Sequence, residues 1–481
     1  MSSLLVIIPL LLVLLLNLPL VALMDSVAFS LAVWFVIFQG VAVFIPASMF
    51  WSLPLGSLAN DYSRLLTFSS LPVDNLGLVM FLAIAIVGFG ALFTARYTIT
   101  DLKRRFLFTN LTLLALAGMN GVVLANDLFL LYIFLEIVAV VSFVLIAFDR
   151  EKRAYEGAFK YIVLSAVATV MILASLALLM MTAGGVSFGE VSAAIKTSGS
   201  GKPLVLLATG IMVAGLFIKG GLVPFHGWLP DAYSSAPSAV SVLLAGIVTK
   251  TAGVYTLIRL STDVLGLNPV VLAIFLAVGT ISIIIGALAA LGQSDFKRML
   301  SYSSISQVGY IIFGLGSGNP LGIAGAIFHL FNHSVFKSLL FINAAAVEKE
   351  TGTRNMDELG GLANKMPVTG FTSVVAFLST AGIPPLAGFW SKIMIIIGVW
   401  QAGHPIYAAL AVIASLITLA YFLIMQRKVF FGKLASGFEG LREASLWIVI
   451  PSLLLALITI GIGIFAPWLF GSFLLPVRSI L

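Results

Sequence analysis

Gly221-Leu-Val-Pro224-Phe-His-Gly227-Trp228 interrupts one apolar run, and Gly382-Ile-Pro-Pro385-Leu-Ala-Gly388-Phe389 interrupts another much later in the chain. Both follow the pattern Gly-x-x-Pro-x-x-Gly-aromatic. Proline removes a backbone donor and glycine loosens the helical ladder, so each break leaves polar groups that bare lipid cannot satisfy. Each must face protein or a water-filled cavity. Two unrelated proline kinks are the plainer reading; a repeated unit is the stronger one, because five apolar spans separate the copies. An odd offset turns the second copy upside down, the construction of transporters with inverted repeats and broken helices beside the transport path.

The rest of the sequence supports a membrane setting. Of its 481 residues 60% are hydrophobic and 9% charged, far more apolar than a soluble domain. A crossing needs about 20 apolar residues. On that criterion fourteen spans are expected, at 3–24, 27–50, 74–95, 107–125, 127–148, 158–184, 203–223, 237–260, 268–291, 299–316, 320–347, 366–402, 405–426 and 446–471. The serine-rich 299–316 is the least apolar, and 366–402 is too long for one straight crossing. The first run lacks a basic flank and a cleavage site, so it reads as a span and not a removable signal.

Lysine and arginine decide the orientation, since positively charged loops stay cytoplasmic. With 366–402 taken as one broken span, loops after odd-numbered spans hold seventeen of the 26 basic residues, from Arg96 through Lys297 to Arg442. The opposite side holds five: Arg64, Lys196, Lys202, Arg259 and Arg478. Both termini are therefore expected outside. This distribution also explains the net charge of +7 better than nucleic-acid binding does. With no cysteine, the chain has no disulfide, thiolate chemistry or cysteine-held iron–sulfur cluster, and no cofactor is expected. Redox chemistry would belong to a partner.

Lys219, Lys250, Lys337 and Lys392 remain, all within spans. A charge at mid-membrane costs on the order of 2.5–3.5 kcal/mol on insertion scales, so such residues are generally functional. Glu136 lies in the apolar run 128–144 and needs a partner from another helix; Lys219, just before the first break, is the expected one. A salt bridge that merely orders the bundle is the alternative. His329, His333 and Lys337 recur every four residues, which puts them on one helix face about 6 Å apart in height. A neutral histidine donates from one ring nitrogen and accepts at the other, and its unperturbed pKa is about 6.5, so a pair can pass a proton. A zinc site would need a glutamate beside the first histidine or a nearby thiol or carboxylate, so no metal is expected. Burial disfavours the charged form of a lysine, which suits Lys250 and Lys392 to proton exchange. His226 and Asp231 stand between capping the broken helix and a role at the cytoplasmic mouth; His404 reads as an exposed loop residue.

Pro224-Phe-His-Gly-Trp-Leu-Pro-Asp231, Ala236-Pro-Ser-Ala-Val-Ser241, Lys250-Thr-Ala-Gly-Val-Tyr255, Asp295-Phe-Lys-Arg298 with Ser301-Tyr-Ser-Ser304, the His329 to Lys337 stripe and the second break occur here in one order. Together they resemble the antiporter-like subunit family of Mrp-type sodium/proton antiporters, respiratory complex I and energy-converting membrane-bound hydrogenases. The resemblance implies an all-α polytopic membrane protein of about fourteen transmembrane helices, with discontinuous helices 7 and 12 and two inverted five-helix repeats. It divides the chain into residues 1–106 (helices 1–3), 107–260 (first repeat), 261–432 (second repeat) and 433–481 (helix 14). It further implies a coupling pair at Glu136 and Lys219, a connecting lysine at Lys250, a relay at His329, His333 and Lys337, and a terminal lysine at Lys392. Some members have glutamate at that last position, and the largest complex I subunit continues into a long lateral helix; this chain has lysine and stops soon after span 14. Ser301 stands where many members have alanine, a change expected to be silent.

The expected function is proton translocation within a multisubunit complex of a prokaryotic-type cell membrane, with sodium as the alternative ion. A scaffold that no longer transports and a solitary proton-coupled solute transporter are the competing readings. Partners are the bilayer and other membrane subunits, not nucleic acid.

Overall fold

The computed structural model describes residues 3–18, 24–44, 73–199 and 202–469. Among them all regular structure is helical, with no strand. In chain order come α1 (Leu4–Leu16), α2 (Asp25–Ala42), α3 (Asn75–Thr98), α4 (Leu102–Leu124), α5 (Leu128–Ile146) and α6 (Lys152–Ala183). A short α7 (Phe188–Ser198) leads to α8 (Pro203–Gly220) and α9 (Trp228–Ser235). α10 (Ser238–Leu265) is one long helix with π-helical turns. Then follow α11 (Pro269–Leu291), α12 (Phe296–Gly316), α13 (Pro320–Thr351), α14 (Pro367–Ala381), α15 (Ala387–Gln401), α16 (Pro405–Val429) and α17 (Leu446–Leu469).

Local chemistry starts these helices where the sequence changes from polar to apolar. Asp101, Asp127 and Asp295 each accept the backbone N–H three residues on, from Arg104, Leu130 and Arg298. Such N-caps satisfy donors that the first helical turn leaves free. Eleven segments among the described residues are long and apolar enough to cross a membrane. The three other expected spans are α1, α12 and the α14–α15 pair. α14 and α15 have 15 residues each. Each is therefore ~22 Å long, short of the ~30 Å hydrocarbon layer. Neither is long enough to cross alone, and with the break between them they occupy the single broken span expected at 366–402. Residues 45–50 of the second expected span, Arg64, Arg478 and both chain ends lie outside the described residues.

The two breaks match hydrogen bond for hydrogen bond. Gly221 N–H donates to Ile218 O and Leu222 N–H to Phe217 O; Gly382 N–H donates to Ser379 O and Ile383 N–H to Leu378 O. Gly221 (φ +68°) and Gly382 (φ +87°) adopt the left-handed conformation this ending demands. A second correspondence joins the helix ends. Asp127 bridges Ser187, and Asp295 bridges Asn355, each bridge tying the start of one helix to the chain after the next. α5 and α12 are spans 5 and 10, so the two bridges belong to opposite faces of an inverted repeat.

Burial places the core. The most apolar stretches of α10 and α13 are 100% buried inside the protein, whereas those of α2, α16 and α17 are 39% buried. The shielded helices are those that carry Lys250 and the His329–Lys337 stripe. Lipid-facing positions are left to leucine, isoleucine, valine and aromatic side chains such as Trp34, Phe159 and Leu416.

Candidate functional site

Lys219 is the second-last residue of α8, so its side chain leaves the helix just before the break, toward α5 and α6. Its ammonium lies 3.4 Å from Glu136 Oε1 and donates at 3.4–3.5 Å to Thr169 Oγ1 and Ser165 Oγ. Thr169 donates its hydroxyl to the same carboxylate oxygen at 2.5 Å. Charge-assisted N–H···O contacts usually close to about 2.7–2.9 Å. The pair is thus in contact without being locked. It is also asymmetric: the Lys219 side chain is 4% exposed and that of Glu136 31%, which puts the carboxylate at the edge of the bundle.

A cavity of about 10 Å³ separates Lys219 from α10, lined by Tyr161, Ser165, Trp228, Thr249 and Ala252. That volume is on the scale of one water. Next in sequence to the lining residue Thr249, Lys250 is fully buried and donates to the Ala245 carbonyl five residues back, a reach that the π-helical turns allow. Gly253 holds α10 against the break. A Cβ there would stand 2.5 Å from Gly220 N and Cα. Gly253→Ala is therefore expected to push α10 away from α8 and destabilise the protein by about 1–3 kcal/mol, the range for overpacking. Melting of the purified protein checks this; an unchanged midpoint would contradict the close fit.

In the second half, His329 and His333 face the same way, with ring centroids 6.2 Å apart and planes 9° from parallel. His329 Nδ1 is 2.9 Å from Ser391 Oγ on α15. The Lys337 ammonium donates to Ser303 Oγ at 2.6 Å and Leu300 O at 3.2 Å on α12. Lys392, in the second turn of α15, stands 4.4 Å from the centre of the Tyr310 ring. Lys250, Lys337 and Lys392 all lie within electrostatic reach of His333. His329 Nε2, both His333 ring nitrogens and Lys392 Nζ are buried without a hydrogen-bond partner among the described residues. Buried polar atoms are normally satisfied, and exceptions mark bound water or chemistry. The structure thus gathers two groups, Glu136 with Lys219 beside the small cavity, and Lys250 with His329, His333, Lys337 and Lys392 in the buried core.

Other expectations change. Asp231 accepts from Lys160 (2.7 Å) and Arg298 (2.5 Å), so it clasps α6, α9 and α12 together. His226 lies in the break with a buried Nδ1 that has no hydrogen-bond partner among the described residues, and His404 packs against Tyr407. Lys297, counted above among the loop lysines, is a correction. Asp295 caps α12, which puts Lys297 in its first turn, and Ala236 and Glu348 cover it to 2% exposure. Nothing local in the sequence signals that cover.

Residues 125–418, more than half of the chain, match the family described as "NADH:quinone oxidoreductase/Mrp antiporter, TM". The chain belongs to this family. All seven residues of the two groups fall inside the matched stretch of the NADH:quinone oxidoreductase/Mrp antiporter family. The chain is 35% identical over 374 residues to the NADH-quinone oxidoreductase subunit N of Desulforudis audaxviator, covering 76% of this chain and 74% of that one. It is 32% identical over 402 residues to a Na(+)/H(+) antiporter subunit of Alkalihalophilus pseudofirmus, covering 83% and 81%. Its fold superimposes on a chain of the archaeal membrane-bound sulfane sulfur reductase with a TM-score of 0.84 and 26% identity, covering 100% and 97%. Family membership and the apolar helices make it a multi-pass membrane protein of antiporter-like fold.

Proposed function

We propose that this chain is the proton-translocating subunit of a multisubunit membrane complex, either an Mrp-type cation/proton antiporter or a redox-driven pump. Repeats 107–260 and 261–432 serve as its two halves. The observation that carries the reading is the set of buried nitrogens, His329 Nε2, both of His333 and Lys392 Nζ, that have no hydrogen-bond partner among the described residues and lie within reach of Lys250 and Lys337. Such groups are costly in an apolar bundle and useful only if water and protons visit them. A scaffold would lose nothing by carrying leucine there. A cavity of one-water scale beside Lys219 suits a proton better than a solute. Sodium is the less favoured ion, because hard cations need shells of oxygen ligands and these groups are nitrogen bases.

Gentle purification followed by identification of what co-purifies tests the assembly. Cluster-bearing subunits point to redox coupling and small antiporter subunits to ion exchange; an isolated chain would contradict the reading. The basic face belongs on the cytoplasmic side, with both termini outside. On that face Arg96 and Arg105 converge on Asp25, and Lys428 pairs with Asp357. Because the chain has no cysteine, Arg153→Cys and Arg427→Cys are each expected to react with an impermeant thiol reagent from the cytoplasmic side only. Labelling of position 427 from outside would overturn this orientation.

A further inference from the structure

We propose that α12 carries the access route by which protons reach Lys337 from the basic face, through the pair of buried Lys297 and part-exposed Glu348 at the floor of a polar vestibule. The inference rests on the relay reading and adds to it the path into the relay. The vestibule has a volume of about 690 Å³ and opens among Asp101, Arg104, Asp149, Arg153 and Arg354, charges of both signs that hold water. Lys297 and Glu348 also line it. The Lys297 side chain is 2% exposed and its ammonium is 3.6 Å from Glu348 Oε2. It donates to Ala236 O at 2.7 Å, and Ser238 donates its hydroxyl to Glu348 at 2.6 Å. A buried lysine beside a carboxylate thus stands between the open vestibule and the bundle interior.

From that pair inward, α12 is polar although all but Arg298 and Tyr302 of its residues are buried. Ser301 and Ser304 follow Lys297 at four and seven residues, on one helix face, and are 0% and 1% exposed. Their hydroxyls bond back to the carbonyls of Lys297 (2.7 Å) and Leu300 (3.0 Å), which leaves each oxygen free to accept from a water. Lys337 reaches the same stretch of helix, bonding Leu300 O and Ser303 Oγ. Lys297 to Ser304 is seven residues, ~10 Å of rise. The vestibule floor and the relay are therefore about two helical turns apart along α12. By contrast, Lys337 and Glu348 are eleven residues apart on α13, ~16 Å. Serine in a buried helix gains little packing and favours non-helical backbone, so a row of them needs a polar purpose. This accounts for the least apolar span, and it makes Ser301 a step of the route instead of a silent change.

The test uses single cysteines at Ser238, Ser301 and Ser304 in the assembled complex, in membrane vesicles of known sidedness, with a small cationic methanethiosulfonate as probe. All three should react from the face bearing Arg153, more slowly with depth, while Ile305→Cys, buried next to Ser304, should not. Unreactive cysteines at 301 and 304, in vesicles where position 238 labels, would overturn the route. Labelling reports water along α12 whether or not protons move, so its failure is distinct from a failure of the relay, which is read by transport in Lys250→Met. Glu348→Gln should slow proton transport several-fold and Glu348→Asp should restore it. Wild-type transport in an assembled Glu348→Gln complex would remove the pair from the route.

Discussion

Lys250→Met and Lys392→Met are each expected to reduce proton transport to background, and the double variant to be no worse than either. A series path is interrupted by one gap. Lys250 lies on the helix whose Thr249 and Ala252 line the one-water cavity at Lys219, Lys392 stands near the second break over Tyr310, and His329 and His333 stack on α13. The charges are coupled: His333 lies within reach of Lys250, Lys337 and Lys392. Two like charges 6 Å apart at an effective dielectric of ~20 repel by about 3 kcal/mol. On the relay reading, repulsion of that size between neighbours would let a proton arriving at one position drive another onward. Titration belongs to the set and not to single residues. Methionine keeps the length and packing of lysine, which limits structural loss. Proton uptake in vesicles, with assembly checked by co-purification, measures the effect. Partial, additive losses would indicate parallel routes, and normal transport in the double variant would sink the relay.

Glu136→Gln and Lys219→Met should each abolish coupled transport while the complex still assembles. The ammonium is more deeply buried than its partner and depends on Glu136 for its charge, since Thr169 and Ser165 offer only neutral oxygens. With the carboxylate neutralised, the ammonium loses its one ionic contact among the described residues, and the pair that couples the two halves is gone. In the reverse variant, Glu136 keeps the Thr169 hydroxyl and partial exposure, so the protein tolerates the change, yet nothing remains to pass a proton to α10. Removing one partner of a buried pair can cost 3–5 kcal/mol, and the 3.4 Å contact with a part-exposed carboxylate puts this pair below that range. Thr169→Val should therefore be the milder change, slowing transport without stopping it. If both charge variants assembled and transported normally, the pair would be structural.

Helical breaks, spans and buried charges were legible in the sequence because each is a local anomaly. A proline between glycines in an apolar run, or Glu136 in seventeen residues that otherwise hold no charged side chain, departs from what lipid tolerates wherever the helix ends up. Four-residue spacing placed His329, His333 and Lys337 on one face, and the neighbouring rings of the two histidines follow that period. The tertiary structure decided what depends on neighbours. Glu136 and Lys219 meet across 83 residues of chain, at a distance that no periodicity specifies. Asp231 became a clasp because Lys160 and Arg298 arrive from two other helices. Lys297 looked like a loop residue and is buried, since exposure near a helix end is set by which other elements overhang it, here Ala236 and Glu348. The sequence by itself determined which side chains are too polar for lipid; packing determined which of them touch, because contact between helices distant in sequence is a property of their arrangement and not of either helix alone.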